Sequence, residues 1–259
     1  MELYYEETGT QEAPVIVFIH GIGASSWMWW NQIEAFEDYR CINVDLPGHG
    51  NSVDVPWISL DDTARKIVQL IEENFPGEKV HVVGLSLGGH VAMELILKYS
   101  SLFESAFISG ITTRPAINWL TGKVQAFMFK RMKNDPKSVD KMAIEYYGLR
   151  EGKRLEFKEN LDKMSMETYK TIIDEVLRFK LNGSYRTMEV PVMITAGGNE
   201  SENIKESVEA IPEVMPNAEG KIIPGGGHAW NIGQPEKFNE ECRRWFEKHS
   251  ADEKRDIVQ

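Results

Sequence analysis

Cysteine is nearly absent from this chain, with Cys41 and Cys242 the only two in 259 residues. Neither sits in a CxxC pair, so no disulfide framework and no thiolate zinc site is expected, and two reduced, buried thiols are favoured over a single bridge. Basic residues are outnumbered, 29 Lys and Arg against 40 Asp and Glu, for a formal net charge of −11. That balance argues against a nucleic-acid partner and against an anionic membrane surface. No apolar stretch approaches the ~18 residues of a membrane span. The opening Met1-Glu2-Leu3-Tyr4-Tyr5-Glu6-Glu7 lacks the basic-then-apolar order of a secretory leader. A soluble cytoplasmic protein is the expectation. HExxH, histidine clusters at ligand spacing and a P-loop are missing too, so no metal and no cofactor is expected.

What the chain does have is a series of short apolar runs, at 15–19, 41–44, 80–83, 106–108, 192–195 and 221–223. Continuous runs of this length read as strands buried on both faces. Helical stretches separate them. Leu60, Ala64, Ile67, Val68, Ile71 and Phe75 share one helix face, Ser59 is placed to cap its start, and Pro76-Gly77 stops it. The alternation predicts an α/β fold, with a mostly parallel sheet and helices on both faces. Between 113 and 186 the rhythm breaks. This stretch has helical periodicity, many charges and the methionines Met128, Met132, Met142, Met164 and Met166, but no convincing strand. The reading is a core of 1–112 and 187–259 with 113–186 inserted as a helical cap. The methionines fit plain core packing and pocket lining equally well. The tail after Ser250 is polar and reads as frayed.

The third run leads into Gly84-Leu85-Ser86-Leu87-Gly88 and then a helix-like Val91, Ala92, Leu95, Ile96. Strand, Gly-x-Ser-x-Gly and helix together form a nucleophile elbow, a turn so tight that its edges need glycine. Ser86 would project from the sheet edge beside the Leu87 amide, at a helix N-terminus that favours negative charge. A hydroxyl nucleophile needs a base. His228 follows a strand and the flexible Pro224-Gly225-Gly226-Gly227; His20, His49, His81, His90 and His249 have settings that read as structural. The base needs an acid just past a late strand. Gly197-Gly198-Asn199-Glu200 supplies Glu200, with Glu202 in reserve; Asn199 could orient a ring but not offset its charge. A second oxyanion donor belongs in the loop after the first run, where His20-Gly21-Ile22-Gly23 points to the Ile22 amide, with Leu87 as its partner in an oxyanion hole. The same Gly21-Ile22-Gly23-Ala24-Ser25-Ser26, with Asp45 beyond it, approaches a dinucleotide fingerprint. Ser26 in place of the third glycine and the bulky Trp27-Met28-Trp29-Trp30 weigh against that reading.

Taken together these residues resemble the α/β-hydrolase fold, in its esterase, lipase and C–C hydrolase-like members. His20 to Gly23 is similar to that family's oxyanion loop. Asp45-Leu46-Pro47-Gly48-His49-Gly50-Asn51-Ser52 resembles its Asp-x-x-Gly-His-Gly-x-Ser loop, Gly84 to Gly88 its elbow, and Gly227-His228 followed by Gln234-Pro235-Glu236-Lys237-Phe238 its late Gly-His region. The resemblance implies a helical cap and a Ser86, Glu200, His228 catalytic triad. It departs in carrying Glu200 where the family usually has Asp. It also carries His90 where members making the menaquinone precursor have Arg, which lowers that reading. The function implied is a serine carboxylesterase acting on an apolar small-molecule ester, of short or medium acyl chain or a monoacylglycerol. Trp119, Phe127, Phe129, Tyr146 and Tyr147 are the expected pocket aromatics. A C–C bond hydrolase or lyase, and a hydrolase-like small-ligand receptor, are the alternatives. Either a monomer or a homodimer is compatible with this reading.

Overall fold

The computed structural model describes residues 2–115 and 119–250; the tail beyond 250, and the side chains of 119–121 and 146, the expected pocket residues Trp119 and Tyr146 among them, lie outside what it describes. Seven strands form one sheet: β1 (Tyr5–Gly9), β2 (Val15–Ile19), β3 (Arg40–Val44), β4 (Val80–Leu85), β5 (Phe103–Ser109), β6 (Val192–Gly197) and β7 (Ala218–Ile223). Their order is β1-β3-β2-β4-β5-β6-β7. All pairings are parallel except β1 with β3. Each of the six apolar runs lies in one of the strands β2 to β7. The strand that was not anticipated, β1, has the polar sequence YEETG and is largely exposed. It lies at the sheet edge, where one side of the ladder meets solvent and no apolar run is required. Its Glu7 pairs with Arg40 of β3 at 2.7 Å. The far edge behaves alike: β7 begins at Ala218, three residues before its apolar end, because Glu219 and Gly220 need no burial there.

Successive side chains of β2 point to opposite faces and so seed two cores. Val15, Val17 and Ile19 pack with α2 (Leu60–Asn74), α3 (Leu87–Lys98) and α8 (Glu202–Val214). Ile16 and Phe18 pack with Phe36, just past α1 (Trp30–Ala35), and with Phe238 and Phe246 of α10 (Pro235–His249). The Ser59 hydroxyl accepts the Asp62 amide at 3.0 Å, capping α2. Between β5 and β6 the chain is helical: α4 (Trp119–Lys133), α5 (Pro136–Lys141), a π-helical turn over Met142–Tyr146, α6 (Glu151–Lys163) and α7 (Met166–Val176). Leu161 of α6 sits over Gly23, and the Glu175 carboxylate of α7 accepts the Leu60 amide at 2.8 Å and the Trp57 indole N–H at 3.2 Å. Among the described residues no helix is long and apolar enough to cross a membrane.

Because β2 to β7 run parallel, their carboxyl ends share one edge of the sheet, and the loops leaving them converge there. Those loops begin at His20, Asp45, Ser86, Gly110, Gly198 and Pro224.

Candidate active site

At the end of β4 the backbone turns into α3 with almost no clearance. A Cβ on Gly84 would lie 2.4 Å from the Gly88 carbonyl oxygen, and one on Gly88 2.0 Å from that of Ile19. Ser86, between them, has φ 56° and ψ −115°, the one positive φ outside glycine among the described residues. Such a conformation costs on the order of 1–3 kcal/mol and persists only where its surroundings enforce it. Here the Ser86 amide donates to the Ser109 carbonyl at 2.8 Å, and the Ser86 carbonyl accepts the His90 amide at 3.1 Å. The buried His90 ring lies between the carbonyls of Ser86 (3.0 Å) and Thr112 (3.2 Å), bracing the turn from the α3 side. Gly88→Ala is expected to destabilise the fold by about 3 kcal/mol, because its methyl meets backbone that cannot move away; a urea unfolding midpoint measures this.

His228 arrives on the loop after β7. Downstream, Trp230 of α9 (Trp230–Gly233) donates its indole N–H to Ser109 Oγ at 2.8 Å, and the buried Asn231 amide donates to the Met28 carbonyl at 3.1 Å. Upstream, the loop is tied to the one after β6, with the Gly198 amide on the Ile223 carbonyl at 2.8 Å and the Asn199 amide on that of Gly226 at 2.9 Å. Held this way, His228 Nδ1 lies 2.5 Å from Glu200 Oε1. The other Glu200 oxygen accepts the Gly197 amide at 2.7 Å, and the side chain is 2% exposed. With its Nδ1 proton donated to the carboxylate, the neutral ring keeps its Nε2 lone pair as an acceptor. Gly110, at φ 70°, lets the ring in: a Cβ there would be 2.9 Å from Cε1. Glu202, the reserve acid, instead begins α8, is 79% exposed and pairs with Lys205. Asn199 ties the two loops, donating from Nδ2 to the Gly225 carbonyl.

The loop after β2 is pinned by His20. Its Nδ1–H donates to the Gly21 carbonyl at 2.8 Å and its Nε2 accepts the Leu46 amide at 3.0 Å, so one neutral tautomer satisfies both. Burial holds its pKa down at about 4. Gly21 passes beside Ser86, where a Cβ on it would lie 3.5 Å from the serine's own. The buried Asp45 carboxylate accepts the amides of Ser26 (2.7 Å) and Asn51 (2.8 Å). Both of its oxygens thus serve the backbone, a fixed role that does not suit a ribose-binding acid. His49 packs edge-on against His20 at 5.1 Å, and burial depresses its pKa to about 3. A histidine whose folded pKa lies below its unfolded value of about 6.5 contributes stability that is intact above that value and lost as pH falls toward the folded one. The urea midpoint is therefore expected to drop from about pH 6.5 downward, and His49→Asn to flatten that slope.

Ser86 and His228 line one cavity of about 690 Å³. Gly21, Ile22, Met28 and Leu85 contribute from the sheet side. Phe129, Tyr147 and Tyr169 contribute from the helices between β5 and β6, together with Met142 and a polar group of Ser138, Lys141 and Glu145. Leu87, the first residue of α3, is buried directly after Ser86. Of the expected pocket aromatics, Phe129 and Tyr147 line the cavity, whereas Phe127 is 66% exposed. Two residues span about 200° of helix, so Phe127 and Phe129 cannot face the same way. The five methionines divide as well: Met142 lines the cavity, Met164 is buried and Met128 is 63% exposed. Met28 and Tyr169 were not anticipated as lining residues. Both sit in segments whose apolar pattern looks the same whether it faces core or cavity. Cys41 and Cys242 are free and buried, and burial raises the Cys41 pKa to about 12. No cluster of three or more His, Cys, Asp or Glu suited to a metal ion occurs among the described residues.

The chain is 26% identical over 244 residues to an AB hydrolase superfamily protein of Gibberella zeae, covering 89% of this chain and 79% of that one. It is 26% identical over 259 residues to a pimeloyl-[acyl-carrier protein] methyl ester esterase of Nitrosospira multiformis, covering 92% and 95%. Its fold is similar to that of naproxen esterase (carboxylesterase NP) from Bacillus subtilis, with a TM-score of 0.78 at 22% identity over 94% of this chain and 87% of that one. At that identity the likeness concerns the fold alone. The sequence profile described as "Alpha/beta hydrolase family" matches residues 16–241. On that match, and on a seven-stranded sheet with the elbow at the end of β4, the chain belongs to the alpha/beta hydrolase family.

Proposed function

We propose that this protein is a serine hydrolase that cleaves carboxylic esters through an acyl-enzyme on Ser86. The observation that carries the reading is the 2.5 Å hydrogen bond from His228 Nδ1 to the buried Glu200, on a ring that shares a cavity with the strained Ser86. Glu200 fixes the tautomer that leaves Nε2 free to take the serine proton, and stabilises the imidazolium that follows. The Ser86 oxygen attacks the ester carbonyl. The amides of Ile22 and Leu87 receive the developing oxyanion, the second at the positive end of α3. His228 then protonates the departing alcohol and, in a second cycle, activates the water that releases the acid. Residues 113–186 act as a cap over the site. The methyl ester esterase relative supports ester chemistry, and the apolar share of the lining (Ile22, Met28, Leu85, Phe129, Met142) supports a short or medium chain.

A panel of p-nitrophenyl esters of rising acyl length tests this. Turnover with an optimum at short or medium chains is expected. Failure on every ester, with turnover of a vinylogous diketone instead, would overturn ester hydrolysis in favour of C–C cleavage.

A further inference from the structure

Tyr169 lines the cavity at 8% exposure, and its hydroxyl makes no hydrogen bond to any described residue. Its ring is fixed in place. It stacks on Phe129 with centroids 3.7 Å apart and planes 6° from parallel. The helix that carries it, α7, is fastened to the sheet domain at both ends. At its start, Thr168 packs so closely on Gly48 that a Cβ there would lie 2.6 Å from the threonine methyl. At its end, Glu175 accepts the Leu60 amide and the Trp57 indole N–H. Tyr169 is thus held in register with the Ser86 edge by contacts that have nothing to do with its hydroxyl. The ring is buried but its hydroxyl is not fully enclosed, and a rigid ring does not swing it away from the space it faces. The cavity is where a partner can reach it.

We propose that Tyr169 donates a hydrogen bond to an acceptor oxygen of the substrate outside the scissile ester, so that the site prefers oxygenated esters to plain alkyl esters. The candidate groups are a ketone, ether or carboxylate oxygen on the acyl or the alcohol part. This proposal rests on the reading of Ser86 as the nucleophile. Burial raises the phenol pKa to about 12, so the group stays a donor at any working pH. A site that presents a fixed donor discriminates against an analogue that lacks the acceptor, because the donor is then left unpaired.

The test compares isosteric pairs on wild type and Tyr169→Phe: p-nitrophenyl 5-oxohexanoate with p-nitrophenyl hexanoate for the acyl side, and 2-methoxyethyl butyrate with butyl butyrate for the alcohol side. Wild type is expected to favour the oxygenated member of at least one pair by about 10-fold in kcat/KM, and Tyr169→Phe to lose that preference. Turnover without a preference in either pair overturns the proposal, as does an equal fall on all four esters in Tyr169→Phe, which would mark a packing role. Absence of turnover on every ester by wild type overturns the ester-hydrolysis reading and this proposal with it.

Discussion

Ser86→Ala is expected to leave a folded protein whose kcat on p-nitrophenyl esters is lower by about 10⁶-fold. The size of the effect follows from the order of events. On the proposed mechanism, no acyl-enzyme forms without an oxygen at position 86, and both His228 and the amides of Ile22 and Leu87 lose the reaction proposed for them. What remains is water attacking a bound ester, helped by the amides and by binding, which leaves a residual acceleration of about 10³ to 10⁴ over the uncatalysed rate. Folding should be spared. The hydroxyl caps nothing, and the turn is held by backbone hydrogen bonds of Ser86 with Ser109 and His90 that alanine keeps. Alanine inherits the same positive φ, so the strain is unchanged and little change in melting temperature is expected, checked by calorimetry beside the kinetics.

The second large effect is at Glu200. Glu200→Gln keeps the shape but replaces the acceptor Oε1 opposite His228 Nδ1 with an amide that can turn its NH₂ toward the ring. That stabilises the tautomer with the proton on Nε2, which cannot take the serine proton, and it removes the charge that stabilises the imidazolium. A fall in kcat of about 10³ to 10⁴ is expected, with KM nearly unchanged. Glu202→Gln is the matched control. It alters an exposed carboxylate paired with Lys205 and should leave both constants alone. If Glu202→Gln lost the activity and Glu200→Gln kept it, the acid would be misassigned, despite the observed hydrogen bond.

How far the residues can be read without coordinates depends on what each signal encodes. The strands β2 to β6 are buried on both faces, which forces continuous apolar runs, and those are visible in the sequence. β1 and the start of β7 lie at edges, where pairing does not demand apolar side chains, and they leave no such trace. The elbow is legible because steric exclusion writes itself as glycine: a Cβ on Gly84 or Gly88 would lie 2.4 or 2.0 Å from a backbone carbonyl oxygen. Glu200 is harder to read. An acid after a strand is common, and its separation from Glu202 is decided by a turn in which Glu200 loops back onto the Gly197 amide while Glu202 starts a helix. The cavity lining is least legible. Phe127 and Phe129 are alike in type and close in sequence, yet only the direction in which α4 packs sends one inward. Tyr169 stands out only once its missing partner is known.

The central claim is that His228, oriented by Glu200, turns Ser86 into a nucleophile. The most direct measurement is intact-mass and peptide mapping after exposure to a fluorophosphonate ester, on wild type and on His228→Ala. The account predicts a single phosphonyl adduct on the Ser86 peptide of wild type and almost none on His228→Ala over the same time. Equal labelling of both proteins, or an adduct on any residue other than Ser86, would contradict it.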